Sequence, residues 1–259
     1  MGSESVSEHP LIAQLLTDIR PLVKAGLDRI RGLIAREGIA RYTDPIQLPE
    51  RDCYCVMCFR RASNLASAVD MLERIEHFVV WLPAQKRFRE LRLSQERWLD
   101  YHYSYYLVVT SSLVDLSLLT VNEVLRLGFP DRLCNYNAVS ENYWVSYYGI
   151  AKPLTTLYSL TKKHRERRNS FVHHGERPDL AEVIESKDYN ILTFVAQANA
   201  MSARPIGGAK LFNEAFRLEI ERMVSVMRRE RSAAMEAVWT LFTALQPVYE
   251  AHLSALKPR

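Results

Sequence analysis

An all-α fold, a long-helix up-and-down bundle, is what this chain predicts, and three observations carry the expectation. Apolar residues recur at spacings of three and four through five long stretches, the pattern of helices that bury one face. Prolines and glycines fall between those stretches, at Pro45, Pro49, Pro83, Gly128, Pro130, Gly175, Pro178 and Gly207-Gly208. Internal repeats, low-complexity tracts, phosphate-cradling glycine loops and nucleophile elbows are absent from the sequence. At 259 residues the chain is long enough to bury a core without disulfide or metal staples. The expected organisation is an N-terminal helical segment, residues 1–93, packing on a bundle of residues 94–259, with one continuous core.

The first helix is expected from about Pro10 to Arg36, with Leu11, Leu15, Ile19, Leu22, Leu27, Ile30, Leu33 and Ile34 at spacings of mostly three and four. Ser7 is its candidate cap, Gly38 its candidate end, and Pro21 predicts a kink or break. A second helix, from about Asp52 to Leu82, carries Val56, Phe59, Leu65, Val69, Leu72, Ile75 and Val79 and stops at Pro83. Ser94 caps a third that runs towards Leu127, where Gly128 and Pro130 end it. Such a helix would be about 50 Å long, enough for the spine of a bundle. Trp98, Tyr101, Tyr103, Tyr105 and Tyr106 crowd its start, and rings at helical spacing are expected in core and rim packing. A turn around Cys134-Asn135-Tyr136-Asn137 leads to a fourth helix, from about Val139 towards Phe171, bent at Pro153. Leu180 to Met201 reads as a short helix with irregular chain, or as a strand-like pair around Tyr189–Val195. The last helix is expected from Ala209 to Leu245, with Pro247 breaking or kinking it.

A composition of 48% hydrophobic and 25% charged residues is ordinary for a soluble globular protein. The net charge of +4 permits an anionic partner without requiring one. Met1 to Ser7 lacks the basic-then-apolar pattern of a signal peptide. The most apolar region, Tyr105 to Val124, is interrupted by Ser111, Ser112, Asp115 and Asn122, so no membrane association is expected. A reducing, cytoplasmic location follows as the expectation. Cys53, Cys55 and Cys58 invite a zinc reading, but three ligands so close together fold poorly around one tetrahedral ion, and Cys134 is far along the chain. Core packing is the expected role of these thiols, with no metal and no cofactor.

The chemistry concentrates between Lys162 and Gly175, where five basic residues and three histidines share a helix end. Basic residues there complement the negative end of the helix dipole, which accounts for Lys162, Lys163 and Arg165. Arg168, Asn169 and His173 ask for more. A guanidinium grips two phosphate oxygens with a planar fork, and an imidazole titrates near neutrality and so moves protons. Together they suffice for metal-free RNA cleavage by attack of a ribose 2′-hydroxyl, with the arginine stabilising charge on the five-coordinate phosphorus. The spacing alone carries no weight, because Arg97 and His102 repeat it in a context that reads as structural. Residues five apart on a regular helix are rotated by about 140°, so Arg168 and His173 converge only if the helix loosens towards Gly175 or a second copy completes the site.

The run Arg168-Asn169-Ser170-Phe171-Val172-His173-His174-Gly175 resembles the hallmark motif of the HEPN superfamily (higher eukaryote and prokaryote nucleotide-binding). The likeness extends over roughly Ser94 to Gly175. It implies a HEPN-like bundle that forms a homodimer with the two motifs facing each other across a cleft. It further implies a metal-independent endoribonuclease acting on RNA and leaving a 2′,3′-cyclic phosphate, in toxin–antitoxin or antiviral settings with an antitoxin or sensor protein as partner. On that reading Arg168 holds the phosphate, His173 is the general acid/base and Asn169 orients the 2′-hydroxyl or the histidine. Arg165, Arg167 and His174 are auxiliary substrate contacts. The alternative is a non-catalytic HEPN-like dimer that binds RNA, a nucleotide or a partner protein through the same basic groove.

Overall fold

A computed structural model describes residues 5–37, 48–81, 90, 93, 95–174 and 209–256. Among them every regular element is helical: α1 (Pro10–Glu37), α2 (Glu50–Val80), α3 (Gln95–Val124), α4 (Tyr136–Ser140), α5 (Tyr143–Tyr147), α6 (Ala151–His174) and α7 (Ala209–Ala255). Short 3-10 turns lie at Val6–Glu8 and Asp131–Leu133. The all-α expectation holds. The Ser94 cap, the stops at Gly38, Pro83 and Gly175, and the strand-like alternative at Tyr189–Val195 fall outside the described residues.

The chain divides into two compact units. The first holds Met1–Ser67, Leu113–Tyr158 and Met235–Arg259, the second Ala68–Ser112 and Ser159–Ala234. In the first, Leu11, Leu15 and Ile19 of α1 are buried together with Cys58, Leu65, Leu113, Leu118, Val121, Leu241, Leu245 and Tyr249. Among the described side chains of α1, none after Ile19 is buried: Leu27 and Ile34 are exposed. In the second, Leu72, Ile75, Val79, Leu99, Tyr103, Tyr106, Leu107, Met223 and Met227 form the core.

The start of α1 is set by His9 rather than Ser7. Pro10 occupies the first helical position, where its missing N–H costs nothing. The His9 Nδ1 accepts the Leu11 N–H at 3.0 Å, which leaves the ring proton on Nε2 to be donated to Thr243 Oγ1 at 3.1 Å. Trp239 and Phe242 close on the ring edge-to-face at 4.6 and 5.5 Å. Burial lowers the pKa of His9, and likewise of His102 and His252. Each takes up its proton at lower pH in the fold than in the unfolded chain, so stability is full above about pH 6.5 and falls as pH drops below it. Urea unfolding midpoints are therefore expected to decrease from pH 8 to pH 5.5, and a midpoint that is level or rises would contradict the burial of these rings.

Both prolines expected to interrupt helices are accommodated. Pro21 and Pro247 lie inside continuous α1 and α7. Each is exposed, and so is the threonine four residues before it, Thr17 or Thr243, so water can take the carbonyl that the proline leaves unbonded. The expected single helix from Val139 towards Phe171 is instead three helices, and the residues responsible were visible. Asn135 caps α4 by accepting the Ala138 N–H at 3.1 Å, and Asn142 caps α5 through the Trp144 N–H at 3.0 Å. Gly149, at φ +70°, then takes the left-handed turn that ends α5. Pro153 bends nothing because it falls in the first turn of α6, before intrahelical N–H bonds are required.

The end of α3 comes slightly before the expected Gly128 stop. The Leu127 N–H reaches Asn122 O at 3.0 Å and the Arg126 N–H reaches Glu123 O at 3.1 Å, a Schellman closure with Arg126 in the left-handed position at φ 53°. Arg126 is compensated by an ion pair with Glu50 and by lying over the Tyr54 ring. From Arg97 to Val124, α3 contains an 18-residue window of mean hydropathy 1.4, long and apolar enough to cross a membrane by length and composition, despite its polar interruptions. Of that window 67% is buried within the protein, as in the core helix of a bundle.

Candidate functional site

The site is built on the C-terminal half of α6. Good helix formers fill it, and its buried positions Leu154, Leu157, Thr161 and His164 recur at three and four. Lys162 and Lys163 face solvent as a charged helix end should. Arg165, Arg167 and Arg168 are half-buried, while Asn169 and His173 are exposed. His174 is the last helical residue, and its side chain is not among those described.

Arg168 is held on two edges. Its Nε donates to Ser111 Oγ of α3 at 3.3 Å, and its Nη1 donates to Asn169 Oδ1 at 2.9 Å. Ser111 is itself fixed, since its hydroxyl donates to Val108 O at 3.0 Å. Among the described residues these bonds engage two of the five guanidinium N–H groups. A fork held in this way can meet a phosphate with little further loss of rotamer freedom. The Asn169 oxygen contacts Arg168, where the sequence had suggested contact with a 2′-hydroxyl or the histidine. The Arg167 guanidinium lies beside the Tyr103 phenol, where it partly opposes the burial that raises that hydroxyl's pKa.

His173 stands apart from this pair. Its side chain makes no hydrogen bond or ion pair among the described residues, and α6 stays helical through His174. Loosening of the helix before His173 therefore does not bring the two side chains together within one chain. They project about 140° apart.

One turn before Arg168, the fold contains a buried polar group that sequence reading passed over as part of the basic run. His164 is 2% exposed. Its Nε2 lies 3.1 Å from Glu230 Oε2 of α7, and the Tyr106 hydroxyl donates to the same oxygen at 2.8 Å. The His164 ring meets Tyr106 edge-on at 5.9 Å. Burial works to raise the Glu230 carboxyl, but hydrogen bonding and charge from His164, with help from Tyr106 and Lys163, hold its pKa below the usual value. Glu230 is thus kept as a carboxylate in the interior, facing the histidine. Ser111 was missed as well. Its only signal was a serine pair inside an apolar run, and that of Glu230 was an acid between Arg229 and Arg231.

The cysteines are not arranged as a metal site. Cys53 is exposed whereas Cys55, Cys58 and Cys134 are buried as free thiols. Burial raises the pKa of Cys55 and Cys58, and that of Cys134 to about 11, which disfavours the thiolate a metal needs. Among the described residues no group of three or more His, Cys, Asp or Glu side chains could hold a metal ion. The first unit has a cavity of about 790 Å³ beside Tyr54, Arg61, Asn122 and Arg126. Its arginines are already paired, Arg61 with Asp131 at 2.7 Å and Arg126 with Glu50. None of the motif residues lines it.

With the geometry established, comparison with known proteins adds one positive finding. A protein-family model described as Cthe2314-like HEPN matches residues 54–202, more than half of the chain and inclusive of Arg168, Asn169 and His173. Neither the curated proteins nor the solved structures contain a significant match.

Proposed function

The chain belongs to the Cthe2314-like HEPN family, and from that premise we propose that it is a metal-independent endoribonuclease assembled as a homodimer. The observation that supports the reading best is the fixed guanidinium of Arg168, held by Ser111 and Asn169 through two of its N–H groups, with no other partner among the described residues. Arg168 would grip the scissile phosphate while a 2′-hydroxyl attacks the adjacent phosphorus. The O2′–P bond forms, the P–O5′ bond breaks, and the products are a 2′,3′-cyclic phosphate and a 5′-hydroxyl. His173 takes the 2′ proton, and a histidine, its own or that of a second copy, protonates the leaving oxygen. Arg168 stabilises the charge that builds on the phosphoryl oxygens. Pairing two copies answers the divergence of Arg168 and His173 on one helix. Arg165, Arg167 and His174 are assigned to the flanking backbone of the RNA, with Arg167 also committed to Tyr103. The setting proposed is cytoplasmic, in toxin–antitoxin or antiviral defence, with an antitoxin or sensor protein restraining the cut.

A second reading is a dimer that binds RNA, a nucleotide or a partner protein without cutting. The exposure of His173 with no orienting partner among the described residues favours it, because general bases are usually aligned by a third group. Incubation of purified protein with structured and unstructured RNA in excess EDTA separates the two. Cleavage by the parent that Arg168→Ala and His173→Ala both abolish is the expected result. An inert parent whose RNA binding is weakened by Arg168→Ala would replace the nuclease with the binding module, and equal cleavage by all three would remove the site altogether.

A further inference from the structure

The Arg168 guanidinium has two edges on which it can take two phosphate oxygens at once, and the fold makes them unequal. The side edge pairs Nε with Nη2, and the end edge pairs Nη1 with Nη2. Nε is committed to Ser111 Oγ of α3 at 3.3 Å, so a side-on grip has to break that bond. At the end edge, Asn169 Oδ1 takes one N–H of Nη1 at 2.9 Å, and neither Nη1 nor Nη2 has another partner among the described residues. The grip that spares the Ser111 bond is end-on.

Ser111 is well suited to hold Nε in place. It is 0% exposed, and its oxygen sits one rotatable bond from the α3 backbone, so its position has little freedom. Its single proton goes to Val108 O at 3.0 Å, which leaves only lone pairs to face Arg168. The helix gains little from that bond, because Val108 O also accepts the Ser112 hydroxyl at 2.7 Å. α3 and α6 meet again one turn before Arg168, where the Tyr106 ring lies 5.9 Å from His164 and both residues bond Glu230 of α7. That second contact fixes the helix carrying Arg168 against the helix carrying Ser111.

We propose that Ser111 is a positioning residue for the cleavage assigned to Arg168, one that reserves the end edge of the guanidinium for the phosphate. The proposal rests on Arg168 gripping the scissile phosphate and specifies how it does so. The charge of an arginine is the same on either edge, so binding survives the loss of Ser111. Turning the fork to its side edge displaces the phosphorus from the base that must take the 2′ proton, and such misplacement falls on the chemical step. The effect of Ser111 therefore belongs to kcat and not to KM.

The test is steady-state cleavage, in EDTA, of an unstructured or a hairpin RNA oligonucleotide, whichever the parent cuts faster. The affinity of each variant for the fully 2′-deoxy counterpart is measured alongside. Ser111→Ala is expected to lower kcat on the order of 10–100-fold, with KM and affinity at parental values. Ser111→Cys fills the same space with a poorer acceptor and gives the same loss should the alanine variant not fold. Ser112→Ala removes a bond to the same carbonyl and keeps the parental rate. In an Arg168→Lys background, which has no edges to choose between, Ser111→Ala adds no further loss. A parental kcat in Ser111→Ala and Ser111→Cys overturns the proposal. So does a raised KM at unchanged kcat, or an equal loss in Ser112→Ala or in the lysine background, each of which would make Ser111 a packing group of α3. A parent that cuts, with Ser111 variants that cut equally well, removes only the positioning role. A parent that cuts neither RNA overturns the cleavage reading and the positioning role together.

Discussion

An equal mixture of Arg168→Ala and His173→Ala chains is expected to recover about a quarter of the parental cleavage rate, although each variant alone falls on the order of 10²–10⁴-fold. Random pairing makes about half the dimers mixed. In the proposed homodimer, a mixed pair would keep one site with the arginine of one chain and the histidine of the other, and would lose its second site. The expectation comes directly from α6 remaining helical through His174, which leaves Arg168 and His173 pointing in different directions on one chain. The rate is measured in EDTA on the whole co-expressed mixture, and two different tags allow its mixed dimers to be counted. No recovery in verified mixed dimers would mean that both groups act from the same chain, and the composite cleft would be abandoned. Arg168→Lys provides a control, since it keeps the charge but lacks the fork that Ser111 and Asn169 hold.

The second large effect is on stability. Glu230→Ala removes a half-buried carboxylate that accepts from both His164 and Tyr106, and leaving those buried donors unmatched costs about 1–3 kcal/mol. Glu230→Gln preserves the shape and part of the hydrogen bonding, so a smaller loss is expected. Because the folded state holds the Glu230 pKa low, its contribution is present above the unfolded glutamate value and fades as pH falls through the folded one. Urea denaturation at neutral pH measures both variants. A Glu230→Ala midpoint matching that of the parent would refute the network. His164 and Arg168 lie one turn apart on α6, so the loosened variant is also expected to hold the guanidinium less well at temperatures where the fold survives.

Much of this architecture was legible in the sequence. Long stretches with apolar residues at three and four gave α1, α2, α3 and α7 their existence and approximate extent, since burial of one face is what fixes a helix. Arg168, Asn169 and His173 could be proposed as a site from sequence because they form a local pattern. Local rules failed where a tertiary setting decided the outcome. Pro21 and Pro247 break nothing because they face water, and exposure is not written beside a proline. The division of the segment after Val139 could have been read from Asn135, Asn142 and Gly149, but the apolar spacing drew attention away from these caps. Ser111, Tyr106 and Glu230 were beyond sequence reading for a different reason. They become part of the site only when residues 57, 66 and 124 positions apart along the chain are brought within hydrogen-bond reach, and nothing local marks that event.

The contacts of α1 also impose an order of events during synthesis. His9 meets Thr243, Gln14 meets Gln246 and Asp18 meets Tyr249, at separations of 231 to 234 residues. α1 leaves the ribosome with Leu11, Leu15 and Ile19 uncovered well before α7, the helix that helps to bury them, is made. Closing so long a loop is slow, and apolar surface left waiting is what chaperones bind and proteases cut. A nascent chain halted before α7 therefore lacks the closing contacts of its first unit, so quality control has a means of recognising unfinished copies.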